Sequence, residues 1–227
     1  MSTLILIPGL LSDREVFRHP AAHLNDLANI SIVKWSDEDT PEKMVQKVLH
    51  LAPPRFSLTG HSMGGWVALE VMRRARDRVD KLCLLNTTAR SDSEEKLNRR
   101  KQWIQAVEKG GFHQVAEELT TAFVHRKEVR DAVLSKFLRQ GPTIFINQER
   151  AMIMRQECFS ILPKIKCPLL LIHARSDRNF SLEQQQEIAK KVPQAKVAIV
   201  EDAGHMMPME MPQAVTALIR YWLLYFI

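Results

Sequence analysis

The sequence predicts a doubly wound α/β fold: a parallel sheet of about six strands with helices on both faces and a helical insertion. Three observations carry it. Short runs rich in Leu, Ile and Val, bounded by Gly, Pro, Asp or Asn, recur at residues 3–7, 30–35, 55–59, 81–85, 169–173 and 196–200. Several are apolar throughout, the pattern of strands buried on both faces. Helix-like patterns alternate with them, as a parallel sheet with crossover helices requires.

The elements follow in order. Residues 3–7 (TLILI) and 30–35 (ISIVKW) read as the first two strands. Asp39 or Thr40 can cap a helix over 41–51, with Pro41 in its first turn. Residues 55–59 (RFSLT) form a strand that runs into a glycine-rich turn and a helix over 63–76. Residues 81–85 (KLCLL) form the next strand. From about 90 to 166 no strand pattern appears; amphipathic stretches near 93–109, 112–125, 127–139 and 142–159 are punctuated by Gly110-Gly111 and Gly141-Pro142. The expected division is a core of residues 1–89 and 167–227 with a helical cap at 90–166. Beyond it, Ser181 with Gln184 three residues on resembles a capping box for a helix over 181–192. A last helix spans 208–226. The apolar tail, 221–227, is expected to close that helix against the sheet.

The totals narrow the function classes. A chain of 227 residues, 45% apolar and 26% charged, has the size and composition of one soluble domain. No apolar run approaches the roughly 20 residues of a membrane helix, and the first residues read as a strand rather than a leader. Three cysteines without CxxC spacing point to packing in a reducing cytoplasm. There is no HExxH, no Cys/His cluster and no P-loop lysine, so neither metal nor cofactor is expected. The net charge of +6 is uneven: residues 90–166 hold 15 Lys/Arg against 10 Asp/Glu, the remainder 17 against 16. This is either a solvated helical surface or a docking face for an acidic carrier or an anionic substrate. Nucleic acid is not expected, since no basic stretch is interleaved with aromatics.

The chemistry centres on Gly60-His-Ser-Met-Gly64, a G-x-S-x-G pentapeptide between a strand and a helix. In that context the serine sits on a very tight turn, its hydroxyl held up at the carboxyl edge of the sheet. The flanking positions must be small. Ser62 is the candidate nucleophile, and the N–H of Met63 points at a developing oxyanion. His61, its neighbour, leaves the turn in another direction and reads as support. Of eight histidines, His205 lies in a loop between the last strand and the last helix, at the same sheet edge, and is the candidate base. His173 falls within a strand and reads as core. Asp177, past a strand end, is the candidate acid; Asp202 competes but starts the turn that presents His205. The order Ser62, Asp177, His205 is the one such a fold uses. A second oxyanion donor is expected from Ile7-Pro-Gly-Leu10, with the N–H of Leu10 the best candidate.

Together these residues resemble the α/β-hydrolase family across essentially the whole chain: LIPGLL as oxyanion loop, GHSMGG as nucleophile elbow, the acid in ARSD, the histidine in AGHMMP. The layout is similar to small bacterial serine esterases with a four-helix cap, including the pimeloyl-ACP methyl ester esterases. The resemblance implies a carboxylic-ester hydrolase, cytoplasmic, monomeric or homodimeric, acting on a small or carrier-bound acyl ester. Acyl thioesters, C–C bond hydrolysis, perhydrolysis and non-catalytic ligand binding remain open on the same scaffold. Two departures are Pro8-Gly9 where many members have His-Gly, and a start directly on the central strand, which implies a trimmed sheet.

Overall fold

The short apolar runs form the middle of the molecule because no helix face could bury every side chain of such a run. The structure, a computed structural model, describes residues 1–226. Its six strands are β1 (Ser2–Ile7), β2 (Ala28–Ile32), β3 (Phe56–His61), β4 (Val79–Leu85), β5 (Leu169–Ala174) and β6 (Lys196–Val200), within a few residues of expectation. They pair in the order β2-β1-β3-β4-β5-β6, and every pairing is parallel. Burial follows position. All residues of β3 and β5 are buried, whereas the edge strands β2 and β6 each bury one.

The chain order places the site. β2 lies on one side of β1 and β3 on the other, so the direction in which the chain adds strands reverses between β1 and β3. A crevice opens at such a switch point, at the carboxyl ends of the strands. The register aligns Ile7 with Gly60 and His61 with Leu85, which brings Pro8, Ser62 and Asn86 to one edge.

The helices of the core are α1 (Arg18–His23), α2 (Pro41–Leu51), α3 (Met63–Ala75), α7 (Leu182–Lys191), α8 (Met207–Glu210) and α9 (Pro212–Tyr225); between β4 and β5 lie α4 (Glu94–Glu108), α5 (Phe112–Phe123) and α6 (Arg130–Ile153). Thr40 caps α2, its hydroxyl accepting from the Lys43 N–H at 3.2 Å. The two stretches expected at 127–139 and 142–159 form the two helical segments of α6, interrupted at Gly141, whose backbone (φ 82°, ψ 166°) is not helical.

Three differences have local causes. β2 ends at Ile32, short of the expected Trp35, because the Trp35 indole turns inward and donates to the Pro8 carbonyl at 3.1 Å. The single last helix is instead α8 and α9, broken at Met211 (φ −134°), since a proline at 212 disfavours helical backbone before it. The short α1 follows a turn capped by Asp13 and carries too little periodicity to be read from sequence. In the tail, Ile219 and Trp222 are buried while Tyr221, Leu224 and Tyr225 face out; Ile227 lies outside the described residues. Among the described residues no helix is long and apolar enough to cross a membrane.

Candidate active site

Ser62 stands between β3 and α3 with backbone angles φ 55°, ψ −118°. This is a left-handed conformation that a residue with a side chain rarely adopts. Its N–H donates to the Leu85 carbonyl at 2.9 Å, and its carbonyl accepts from Thr87 Oγ1 at 2.8 Å and the Gly65 N–H at 2.9 Å. The turn closes only without side chains around it. A Cβ on Gly64 would lie 2.1 Å from the Ile7 carbonyl oxygen, and one on Gly60 would lie 2.3 Å from that of Gly64.

The structure brings the three expected side chains together. His205 Nε2 lies 2.7 Å from Ser62 Oγ, and His205 Nδ1 lies 2.9 Å from Asp177 Oδ2. With Nδ1–H donating to the carboxylate, Nε2 is left as acceptor for the serine hydroxyl. Asp177 Oδ1 accepts from the N–H groups of Asn179 (2.7 Å) and Phe180 (3.2 Å). Burial pushes the Asp177 carboxyl up, but His205 and these two donors outweigh it and hold it below the usual range. Asp202 turns away, towards His125 (3.5 Å) and Arg126 (3.6 Å). His173 is a core histidine, its Nδ1 2.8 Å from Gln185 Oε1.

His61 binds the His205 loop. Its Nε2–H donates to the His205 carbonyl at 2.7 Å. Burial first, then the neighbouring His205, push its imidazole down to about 3, so it stays neutral.

Ser62, Leu10 and Met63 line one cavity of about 140 Å³. Neither the Leu10 nor the Met63 N–H donates to a protein acceptor among the described residues. Met63 opens α3, where unpaired N–H groups and the helix dipole favour negative charge. The cavity walls come largely from the insertion, through Lys96, Trp103, Phe123 and Met152, joined by Asn179 and Phe180. The Phe123 ring lies 4.6 Å and the Phe180 ring 5.6 Å from that of His205.

Several supporting residues escape sequence reading. Asn86, at φ 43°, donates from Nδ2 to the carbonyls of Gly204 and His205 (3.1 Å each) and accepts from the Ala174 N–H at 2.8 Å. It thus ties the end of β4 to the end of β5 and to the histidine loop. Glu210 accepts from Gly204, His125 and Arg126 N–H groups at 3.1, 2.9 and 2.8 Å, joining the insertion to the same loop. Gln148 of α6 accepts from the Leu11 N–H at 2.8 Å and steadies a loop whose Leu11 has φ 51°. An asparagine directly after an apolar strand is a faint sequence signal for the first; the other two leave none.

Much of the insertion's charge is internal. Arg100 reaches Asp92 (2.6 Å) and Glu149 (2.7 Å), and Arg155 reaches Asp92 (2.6 Å). Arg99 pairs with Glu118. Among the described residues no three His, Cys, Asp or Glu side chains gather as a metal site.

Replacing Asn86 by leucine leaves one buried N–H and two carbonyls without this partner, so stability should fall by about 3 kcal/mol. Urea unfolding of Asn86→Leu measures it, and a change under about 1 kcal/mol would contradict the role. A second expectation concerns pH. The folded state holds His61 neutral far below its unfolded value of 6.5, so protonation favours the unfolded chain. The stabilisation is complete above pH 6.5 and is lost as pH falls, by about 2 kcal/mol at pH 5. Between pH 7 and 5 the wild type should lose about that much more stability than His61→Gln; equal losses would refute it.

Comparison with known proteins agrees with this architecture. The sequence matches the model of the alpha/beta hydrolase family over residues 4–218. It is 24% identical over 192 residues to a pimeloyl-[acyl-carrier protein] methyl ester esterase of Nitrosomonas europaea, covering 77% of this chain and 74% of that protein. The structure superposes on a thermophilic esterase from Thermogutta terrifontis, solved with malate bound, with a TM-score of 0.88 at 27% identity, over 98% of this chain and 89% of that one. An enol-lactonase from Burkholderia xenovorans shares the fold, with a TM-score of 0.83 at 22% identity over 98% and 92% of the two chains. By its sequence match, the chain belongs to the alpha/beta hydrolase family.

Proposed function

We propose that the protein hydrolyses a carboxylic ester through an acyl-enzyme on Ser62. The observation that carries this reading is the hydrogen-bonded line from Ser62 through His205 to Asp177 beside a cavity that Leu10 and Met63 also line. A serine hydroxyl is a weak nucleophile until a base removes its proton. His205 Nε2 takes that proton as Oγ attacks the ester carbonyl carbon. Asp177 holds the ring in the right tautomer and stabilises the imidazolium. The N–H groups of Leu10 and Met63 receive the oxyanion. Collapse breaks the bond to the alcohol oxygen, which leaves with the proton from His205. Water, deprotonated by the same nitrogen, then attacks the acyl carbon, and Ser62 recovers its proton as the acid departs.

Residues 90–166 act as a cap over the core of 1–89 and 167–227, closing the cavity with Trp103, Phe123 and Met152. At about 140 Å³ the cavity is well below the roughly 300–1,000 Å³ of pockets for drug-sized ligands. It therefore favours a short group beside the scissile bond. A carrier-bound acyl ester is a second reading, supported by the esterase of Nitrosomonas europaea and by exposed Lys101, Lys127, Arg130 and Arg139 on the cap. A thioester would pass through the same acyl-enzyme.

Hydrolysis of p-nitrophenyl acetate by wild type and Ser62→Ala tests the reading. The substitution should lower kcat by a factor of roughly 10³ to 10⁶ without lowering the unfolding midpoint by more than a few degrees. Full activity in Ser62→Ala would refute it.

A further inference from the structure

The cavity beside Ser62 is lined by charge of one sign. Lys96, Arg99 and Arg100 contribute to its wall, and no carboxylate does. Two of these cations already have counter-ions. Arg100 is held between Asp92 and Glu149, and Arg99 pairs with Glu118 while lying over the Trp103 ring.

Lys96 is different. Among the described residues no carboxylate lies within 4.0 Å of its Nζ, and the acceptor it has is the Asn179 carbonyl oxygen at 3.3 Å. An ammonium carries three N–H donors, so this one bond leaves two for another acceptor. The side chain is also fixed. Its Nζ lies 5.0 Å from the centre of the Phe180 ring, a cation–π contact, and its backbone N–H is bound by Ser93 Oγ at 3.3 Å in the first turn of α4. Asn179 and Phe180 are the residues whose N–H groups hold Asp177. Lys96 is therefore anchored to the loop that carries the acid, on the wall of the cavity that Ser62 shares. Burial pushes its pKa down, and Arg155 and Arg100 act in the same direction against Asp92 and Asp177. A half-buried cation with no carboxylate in hydrogen-bond reach lacks the partner that desolvation calls for, and an incoming anion supplies it with a charge-assisted hydrogen bond.

We propose that Lys96 is the anion-recognition residue of this cavity, and that the ester it selects carries a carboxylate on a short chain beside the scissile carbonyl. The small volume of the cavity sets the length, which makes the substrate a half-ester of a short dicarboxylic acid. The proposal rests on the ester-hydrolase reading above and adds the charge of the substrate to it.

The test compares kcat/KM for monomethyl succinate with that for methyl succinamate, its neutral isostere, in wild type, Lys96→Gln and Lys96→Arg. Wild type should prefer the charged ester by about tenfold or more. Lys96→Gln should bring the ratio close to one, mainly through KM, and Lys96→Arg should keep most of the preference. No preference in wild type, or the same preference in Lys96→Gln, would overturn the proposal. A binding arm separates it from the hydrolase reading: calorimetric titration with succinate should give a Kd weakened at least tenfold in Lys96→Gln and nearly restored in Lys96→Arg. If no ester is hydrolysed but succinate binding follows this pattern, the hydrolase reading fails and the anion subsite stands. Equal succinate affinity in wild type and Lys96→Gln overturns the subsite whatever the activity.

Discussion

The backbone of Ser62, at φ 55° and ψ −118°, is the constraint on which the rest of the site depends. Such a conformation costs of order 1–3 kcal/mol and persists only where its surroundings over-determine it. Here β4 holds the Ser62 N–H through Leu85, while Thr87 and the first turn of α3 hold its carbonyl. Gly60 and Gly64 let strand and helix close to distances that any Cβ would forbid. The strain lifts Oγ clear of the turn and leaves the Met63 N–H beside it, so one turn positions both a hydroxyl and a donor.

The second requirement is that loops from distant parts of the chain keep register with that turn. Parallel strands end at one edge, but strand ends alone do not fix side chains to within a few tenths of an ångström. Buried polar groups do this. Asn86 joins β4, β5 and the His205 loop, Glu210 joins that loop to the insertion, and Gln148 reaches from the insertion to the Leu11 N–H. Each satisfies backbone groups that would be costly to bury unpaired. The insertion is thus tied both to the His205 loop, through Glu210, and to the Pro8–Leu11 loop, through Gln148.

Strands and turns were legible because their causes are local. Uninterrupted apolar runs have one economical arrangement, a sheet covered on both faces, and Ser62, Asp177 and His205 each follow a strand end, so all three face one edge. Gln148, Glu210 and Lys96 were not legible, and Asn86 only faintly, because their partners lie far away in sequence and become neighbours only in the fold. The break between α8 and α9 has a local cause in Pro212, which the apolar pattern over 208–226 does not show. Summed charge does not locate the excess. Arg100 and Arg155 are held in an ion-pair network with Asp92 and Glu149 of the same segment, so the surplus of positive charge lies on other residues of 90–166. A net charge does not say which cations are already neutralised.

Lys96 is left as a half-buried cation without a carboxylate partner on the cavity that the strained Ser62 also lines. On the proposed function, the network of His205 and Asp177 activates one hydroxyl, that of Ser62. The most direct measurement is to treat the protein with a fluorophosphonate and locate the adduct by peptide mass spectrometry. The account predicts stoichiometric modification of Ser62 in the wild type and little in His205→Asn. Adducts on another residue, or equal labelling in both proteins, would contradict it.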